Sequence, residues 1–187
     1  MKVSVGVSAR HVHLTEDVYL KLFDEPLEKI RDLDQPTQFA SNQTVDVKYG
    51  DKLFEHVRIV GPFREYNQVE LSRTDCFKLG INPPVRTSGD LEGSLPITII
   101  GPKGEINLDK GLILANRHIH ITPKQALEYG FTGIEKVSVK VSGEKGGTFD
   151  NVYFKVADDA SFRLHLDTDD ANAFGLKDND EVEIELI

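Results

Sequence analysis

Apolar and polar residues alternate in short runs along most of the chain, and turns rich in Gly, Pro and Asn separate the runs. A period of two places every second side chain on the same face of an extended strand, so the pattern predicts mostly β structure. Val3, Val5 and Val7 share a face of the first strand; Val45 with Val47, then Val57 with Ile59 and Val60, mark the next. Further runs fall at 97–100, 112–114, 137–141, 152–156, 164–166 and 182–187. This is enough strand for one large barrel or two small ones.

Helical signals are few and short. Thr15 is a good N-cap for a helix over 16–23, with Glu16 and Asp17 in the first turn, where the helix dipole favours negative charge. Thr122 predicts another start. Pro123 suits the first helical position, Gln125 can complete a capping box, and Gly130 can supply the left-handed residue that ends the helix. Asp167, followed by Asp169 and Asp170, reads as a third N-cap with first-turn acids; the run lacks the spacing and the glycine of a calcium loop. Residues 24–42 follow neither period and contain Pro26 and Pro36, which predicts an excursion from the main body.

The chain repeats itself. With a shift of 107, Val7 through Thr15 aligns with Leu114 through Thr122, preserving an Arg, both residues of a His-x-His and the capping Thr. A weaker match at a shift of 95 sets Glu70 through Asp75 against His165 through Asp170. The strand-and-turn unit of Val57 to Pro62 also resembles that of Ile97 to Pro102. Two related β units follow.

In extended backbone, His11 and His13 point to one side, as do His118 and His120, and the second repeat adds Glu70 to the first pair and His165 to the second. Two three-ligand sets result from the repeat alone. Mixed nitrogen and oxygen ligands suit Zn²⁺, and three protein ligands with an open position are the pattern of catalytic metal. The bland alternative is that these histidines are satisfied by hydrogen bonds. Each pair has the parity of neighbouring apolar residues (Val5 and Val7; Leu112 and Leu114), so continuous strands would turn the rings inward. Arg10 and Arg117 alternate with the histidines and are expected to pair structurally. Arg64 follows the Gly61-Pro62 turn, where its fork could bind phosphate or simply stand in solvent. His56 reads as a strand-surface residue, and Cys76 as a small buried side chain rather than a nucleophile.

Composition narrows the classes. The 187 residues, 39% hydrophobic and 28% charged, describe a folded chain with no run near the ~20 apolar residues a membrane helix needs. Against 31 Asp+Glu stand 22 Lys+Arg, a net charge of −9 that repels a phosphate backbone, so nucleic acid is not an expected partner. A small anion would need arginines or metal ions to reverse the field locally. The single cysteine cannot form an internal disulfide, and neither a GxGxxG nor a Walker loop is present.

Three long stretches resemble the PduL-type phosphotransacylases, or phosphate propanoyltransferases. They are Val5 through Leu14; Val69 through Asp75, with Asn82 to Arg86 and Ser88 to Gly93; and Arg117 through His120, with His165 through Ala173. The resemblance spans almost the whole chain. It implies a mainly β fold of two tandem β-barrels capped by short α-helices, with the N-terminal strand contributed to the C-terminal barrel. On that reading residues 1–9 and 116–187 form one barrel, and 10–115 the other, with the excursion at about 24–42.

It further implies interconversion of acyl-CoA (propanoyl-CoA or acetyl-CoA) plus phosphate with acyl phosphate plus CoA, by a homodimer using two Zn²⁺. One ion falls to His11, His13 and Glu70, the other to His118, His120 and His165; Arg64 matches the phosphate-binding arginine. Val7, Ser8, Ala9, Arg58 and Asn172 match positions that contact coenzyme A, although Ala9 stands where Asn is common in the family. With the first strand starting at Val3, no N-terminal encapsulation segment is visible, so the expected location is cytoplasmic, with microcompartment association only through a partner. Two other readings use the same residues: a two-metal hydrolase of phosphate esters or thioesters, and a non-catalytic β module with structural zinc.

Overall fold

The structure, a computed structural model, describes residues 1–185. Its elements run β1 (Lys2–Ser8), β2 (His11–His13), α1 (Glu16–Leu22), β3 (Lys29–Asp32), β4 (Phe39–Tyr49), β5 (Lys52–Gly61) and β6 (Gln68–Glu70). Next come α2 (Arg73–Leu79), β7 (Val85–Arg86), β8 (Leu95–Gly101), β9 (Gly104–Ala115), β10 (His118–Ile121) and α3 (Pro123–Glu128). The last are β11 (Lys136–Val141), β12 (Gly147–Val156), β13 (Arg163–Asp167), α4 (Thr168–Ala173) and β14 (Glu181–Glu185). Positions 186 and 187 of the last expected strand lie outside the described residues. The fold is mainly β, as the two-residue period requires.

Two compact units emerge. One contains Met1–Ser8, Asp34–Pro36 and the residues from Asn116 on; the other contains Ala9–Leu33 and Thr37–Ala115. In the first, β1, β13, β10, β12, β11 and β14 close into a barrel around Val5, Ile119, Val137, Val139, Val152 and Leu164. In the second, β4, β5, β2, β6, β9 and β8 pair in turn and β8 returns to β4, closing a ring around Val12, Val45, Val47, Val69, Ile99 and Leu112. β3 and β7 add to the edges of this sheet. The expected excursion therefore carries β3 and the start of β4, and it shows no period because β3 is exposed at all four positions and has no buried face to mark.

The two rings have one pairing plan. β2 runs parallel to β5 and antiparallel to β6, and β10 does the same with β12 and β13. β9 lies parallel to β6 and antiparallel to β8, as β1 lies with β13 and β14. Hence the strand preceding each His-x-His closes the other ring: β1 leads into β2 but pairs with β13, and β9 leads into β10 but pairs with β6. The chain leaves extended pairing at Ala9-Arg10 and at Asn116-Arg117 to make these transfers.

The helices are held by their caps. Thr15 accepts from the Val18 N–H, and Thr122 and Gln125 close the expected capping box, with Gly130 in the left-handed region at φ 75°. Asp167 accepts from the Asp170 N–H at 2.8 Å, as its N-cap reading requires. α2 has no counterpart among the elements expected from the sequence. It starts with a reciprocal Ser72–Asp75 box and ends at Gly80, but only two of its apolar side chains, Cys76 and Leu79, are buried, too few to display a helical period.

Candidate metal centres

The first cluster rests on the β2·β6 ladder, which sets His11 against Glu70 and His13 against Gln68. Val12 and Val69 point into the core, so alternation sends His11, His13 and Glu70 together to the opposite face. His11 Nε2 lies 3.5 Å from Glu70 Oε2, and His13 Nε2 lies 4.0 Å from Glu70 Oε1. Each Nδ1 faces a main-chain oxygen: His11 meets Ala9 O at 2.9 Å, and His13 meets Val60 O at 3.2 Å. A carbonyl only accepts, so in the neutral rings Nδ1 carries the hydrogen and Nε2 presents its lone pair to the carboxylate. Burial, reinforced by His11 and opposed by Glu70, lowers the His13 pKa to about 3, keeping that ring neutral near pH 7. Lone pairs thus converge on an anion.

The second cluster repeats this on β10 and β13, where His118 stands opposite His165. His118 Nδ1 donates to Asn116 O at 2.9 Å, and the Nε2 atoms of His118 and His120 are 3.1 Å apart. The rings of His120 and His165 have centroids 4.6 Å apart. Burial first, then His118 and His165, lowers the His120 pKa to about 2. In each trio the ligand atoms all lie within 4.8 Å of one another. The separations of 3.5 and 4.0 Å to Glu70 and of 3.1 Å between His118 and His120 fall within the ~4.4 Å that two ligands at ~2.2 Å from one zinc ion can span, so these residues fit the metal.

The inward parity expected for these rings does not hold. Val12 and Leu14, and Ile119 and Ile121, are the core residues. Parity does not carry across Ala9-Arg10 or Asn116-Arg117, because one strand ends there and another begins.

Arg10 pairs with Asp75 at 2.7 Å and lies over Phe54; Arg117 pairs with Asp170 at 3.2 Å and lies over Phe149. Arg64 differs. Its backbone N–H donates to Leu14 O at 2.9 Å, its positive charge helps lower the His13 pKa, and its buried Nε has no hydrogen-bond partner among the described residues. Arg58, in register with His11, donates to Ser41 O and Asn42 O. The Val7 N–H donates to Asp178, the Ala9 carbonyl takes His11, and the Asn172 carbonyl takes Lys145; Ser8 pairs in register with Asp167. His56 is exposed and Cys76 is buried.

Two residues that shape the clusters were not singled out from the sequence. Gly6 pairs with His165, and a Cβ placed on it would lie 2.8 Å from Arg163 Nε and 3.2 Å from His165 Nε2. Gln68, two residues before Glu70, is fully buried beside it. Period-two spacing was the available signal for Gln68, and the shift of 107 that sets Gly6 against Ile113 was the signal for Gly6.

Each of the two six-stranded barrels thus carries a three-ligand cluster of the kind that suits catalytic metal, and comparison with known proteins gives the class as an acyltransferase. Residues 4–177 match the model of the phosphate propanoyltransferase family, and the chain belongs to that family. It is 46% identical over 185 residues to the phosphate propanoyltransferase of Thermotoga maritima, covering 97% of this chain and 88% of that one. It is 48% identical over 175 residues to that of Lachnoclostridium phytofermentans, covering 91% and 81%. The Rhodopseudomonas palustris enzyme of the same name is 41% identical over 185 residues, covering 98% and 82%.

Proposed function

We propose that the protein interconverts propanoyl-CoA or acetyl-CoA plus phosphate with the acyl phosphate plus CoA, by direct transfer and with two zinc ions. A phosphate oxygen attacks the thioester carbonyl, the C–S bond breaks, and the sulfur leaves as thiolate and takes up a proton. His11, His13 and Glu70 would hold one ion, and His118, His120 and His165 the other. Zinc at these ligands would supply Lewis acidity suited to a leaving thiolate and an incoming phosphate. Neutral imidazoles serve this role because each ligating Nε2 must offer a lone pair.

The observation that carries the phosphate reading is Arg64: a guanidinium close enough to affect His13, with a buried Nε that has no hydrogen-bond partner among the described residues. Such a group favours an anion that brings its own acceptor oxygens. Cys76 is buried and sits in the hydrophobic core, which supports transfer without an acylated cysteine. Val7, Ser8, Ala9, Arg58 and Asn172 are proposed coenzyme A contacts. A homodimer in the cytoplasm belongs to the same reading; among the described residues no helix is long and apolar enough to cross a membrane.

The test supplies propanoyl-CoA with and without phosphate. Release of CoA that requires phosphate and yields propanoyl phosphate is the expected result. Phosphate-independent release would make the protein a thioester hydrolase instead. Arg64→Ala is expected to lower the phosphate-dependent rate by about 10²–10³, and unchanged phosphate kinetics would remove Arg64 from the site.

A further inference from the structure

We propose that Gln68 is a positioning residue that fixes the Glu70 carboxylate and ties it to the Ser88-Gly89 turn. The inference rests on the proposed role of Glu70 as a metal ligand. Gln68 is fully buried, and its amide is engaged on both sides. Nε2 donates to Glu70 Oε1 at 2.6 Å and to Ser88 Oγ at 2.9 Å, while Oε1 accepts from the Gly89 N–H at 2.8 Å. The last bond settles the amide's orientation, because a backbone N–H only donates: oxygen must face Gly89, so the NH₂ group must face Glu70 and Ser88.

This arrangement restricts the carboxylate. Its Oε1 is held by a charge-assisted hydrogen bond, and its Oε2 is directed to His11 Nε2 at 3.5 Å. Without the amide, rotation about the last torsion of Glu70 would exchange the two oxygens, since terminal sp³–sp² torsions are broad. Gln68 itself cannot follow such a rotation without breaking its bonds to Ser88 and Gly89 in a buried position, where lost hydrogen bonds are costly.

The repeat supplies an independent comparison. At the shift of 95 that matches Glu70 with His165, the place of Gln68 falls to Arg163. There the third ligand is an imidazole, which has no second oxygen to restrain, and Arg163 pairs instead with Asp34 at 2.9 Å. An amide donor accompanies the carboxylate ligand only.

The experiment measures zinc affinity at each site by chelator competition, and the Co²⁺ absorption spectrum, in the full chain carrying Gln68→Met, Ser88→Ala or His13→Ala. Gln68→Met keeps the side-chain length and removes the donors. It is expected to weaken one of two zinc sites about 10–100-fold and alter the Co²⁺ spectrum, leaving the other site unchanged. Ser88→Ala is expected to weaken the same site by a smaller factor. Wild-type affinity and spectrum in folded Gln68→Met would overturn the inference; if that variant does not fold, wild-type affinity in Ser88→Ala overturns it. If His13→Ala binds as much zinc as the unaltered chain, the metal reading of this cluster falls, and the Gln68 role falls with it.

Discussion

Gly6 and Ile113 hold equivalent places in the two barrels, and they differ because their partners differ. Gly6 pairs with His165 and Ile113 with Glu70. Where the facing side chain is a ring, the neighbouring strand has no side chain; where it is the slimmer carboxylate, a fully buried isoleucine fills the space. Close packing leaves no slack for both to be large. Gly6→Ala would put a methyl 2.8 Å from Arg163 Nε and 3.1 Å from His165 Cδ2, so the guanidinium must move and the ring must give by a few tenths of an ångström. Zinc affinity at one site is expected to fall about tenfold, within the range for disturbed ligand orientation, while the chain stays folded. Isothermal titration of the variant checks this, and two sites of wild-type affinity would contradict it.

Elements of two to four residues were the hardest to read. β2 and β6 have three residues each and β7 has two, lengths at which a period of two cannot be distinguished from chance. The longer strands were readable from Val and Ile alternation, and α3 from its complete start and stop signals. α2 was missed although Ser72 and Asp75 hold the spacing of a capping box, because its exposed Phe77 breaks the expected apolar face. The ligand sets were legible for a different reason: duplication supplied the long-range pairing that a single copy leaves open. Ring direction was not legible, since it depends on where one strand stops and the next starts. At this scale the caps are testable. Ser72→Ala removes the acceptor for the Asp75 N–H and is expected to cost about 1 kcal/mol, seen as a lower urea midpoint with zinc content unchanged. An unaltered midpoint would mean that the box adds nothing to α2.

For the whole molecule, each barrel keeps neutral histidine in a buried position, and folding therefore depends on pH. The His13 and His120 pKa values are lowered to about 3 and about 2 from an ordinary 6.5, chiefly by burial. Below about pH 6.5 the unfolded chain binds protons that the folded chain refuses, so stability decreases as pH falls, and it continues to decrease until the folded values are reached. The slope is about 1.4 kcal/mol per pH unit for each group. Metal-free protein is expected to lose a few kcal/mol between pH 7 and pH 5, read as a falling urea midpoint. Equal midpoints at the two pH values would show that these rings are already protonated or exposed in the folded state.

The net charge of −9 makes the surrounding field unfavourable to phosphate and acyl phosphate, so the attraction must be local. Arg64 and the two ligand clusters are the features suited to supply it. The most direct test titrates metal-depleted protein with Zn²⁺ while following phosphate-dependent CoA release from propanoyl-CoA. Activity near zero at the start, rising to a plateau at two equivalents per chain, is the predicted result. Full activity in the metal-depleted chain, or CoA release indifferent to phosphate, would contradict it.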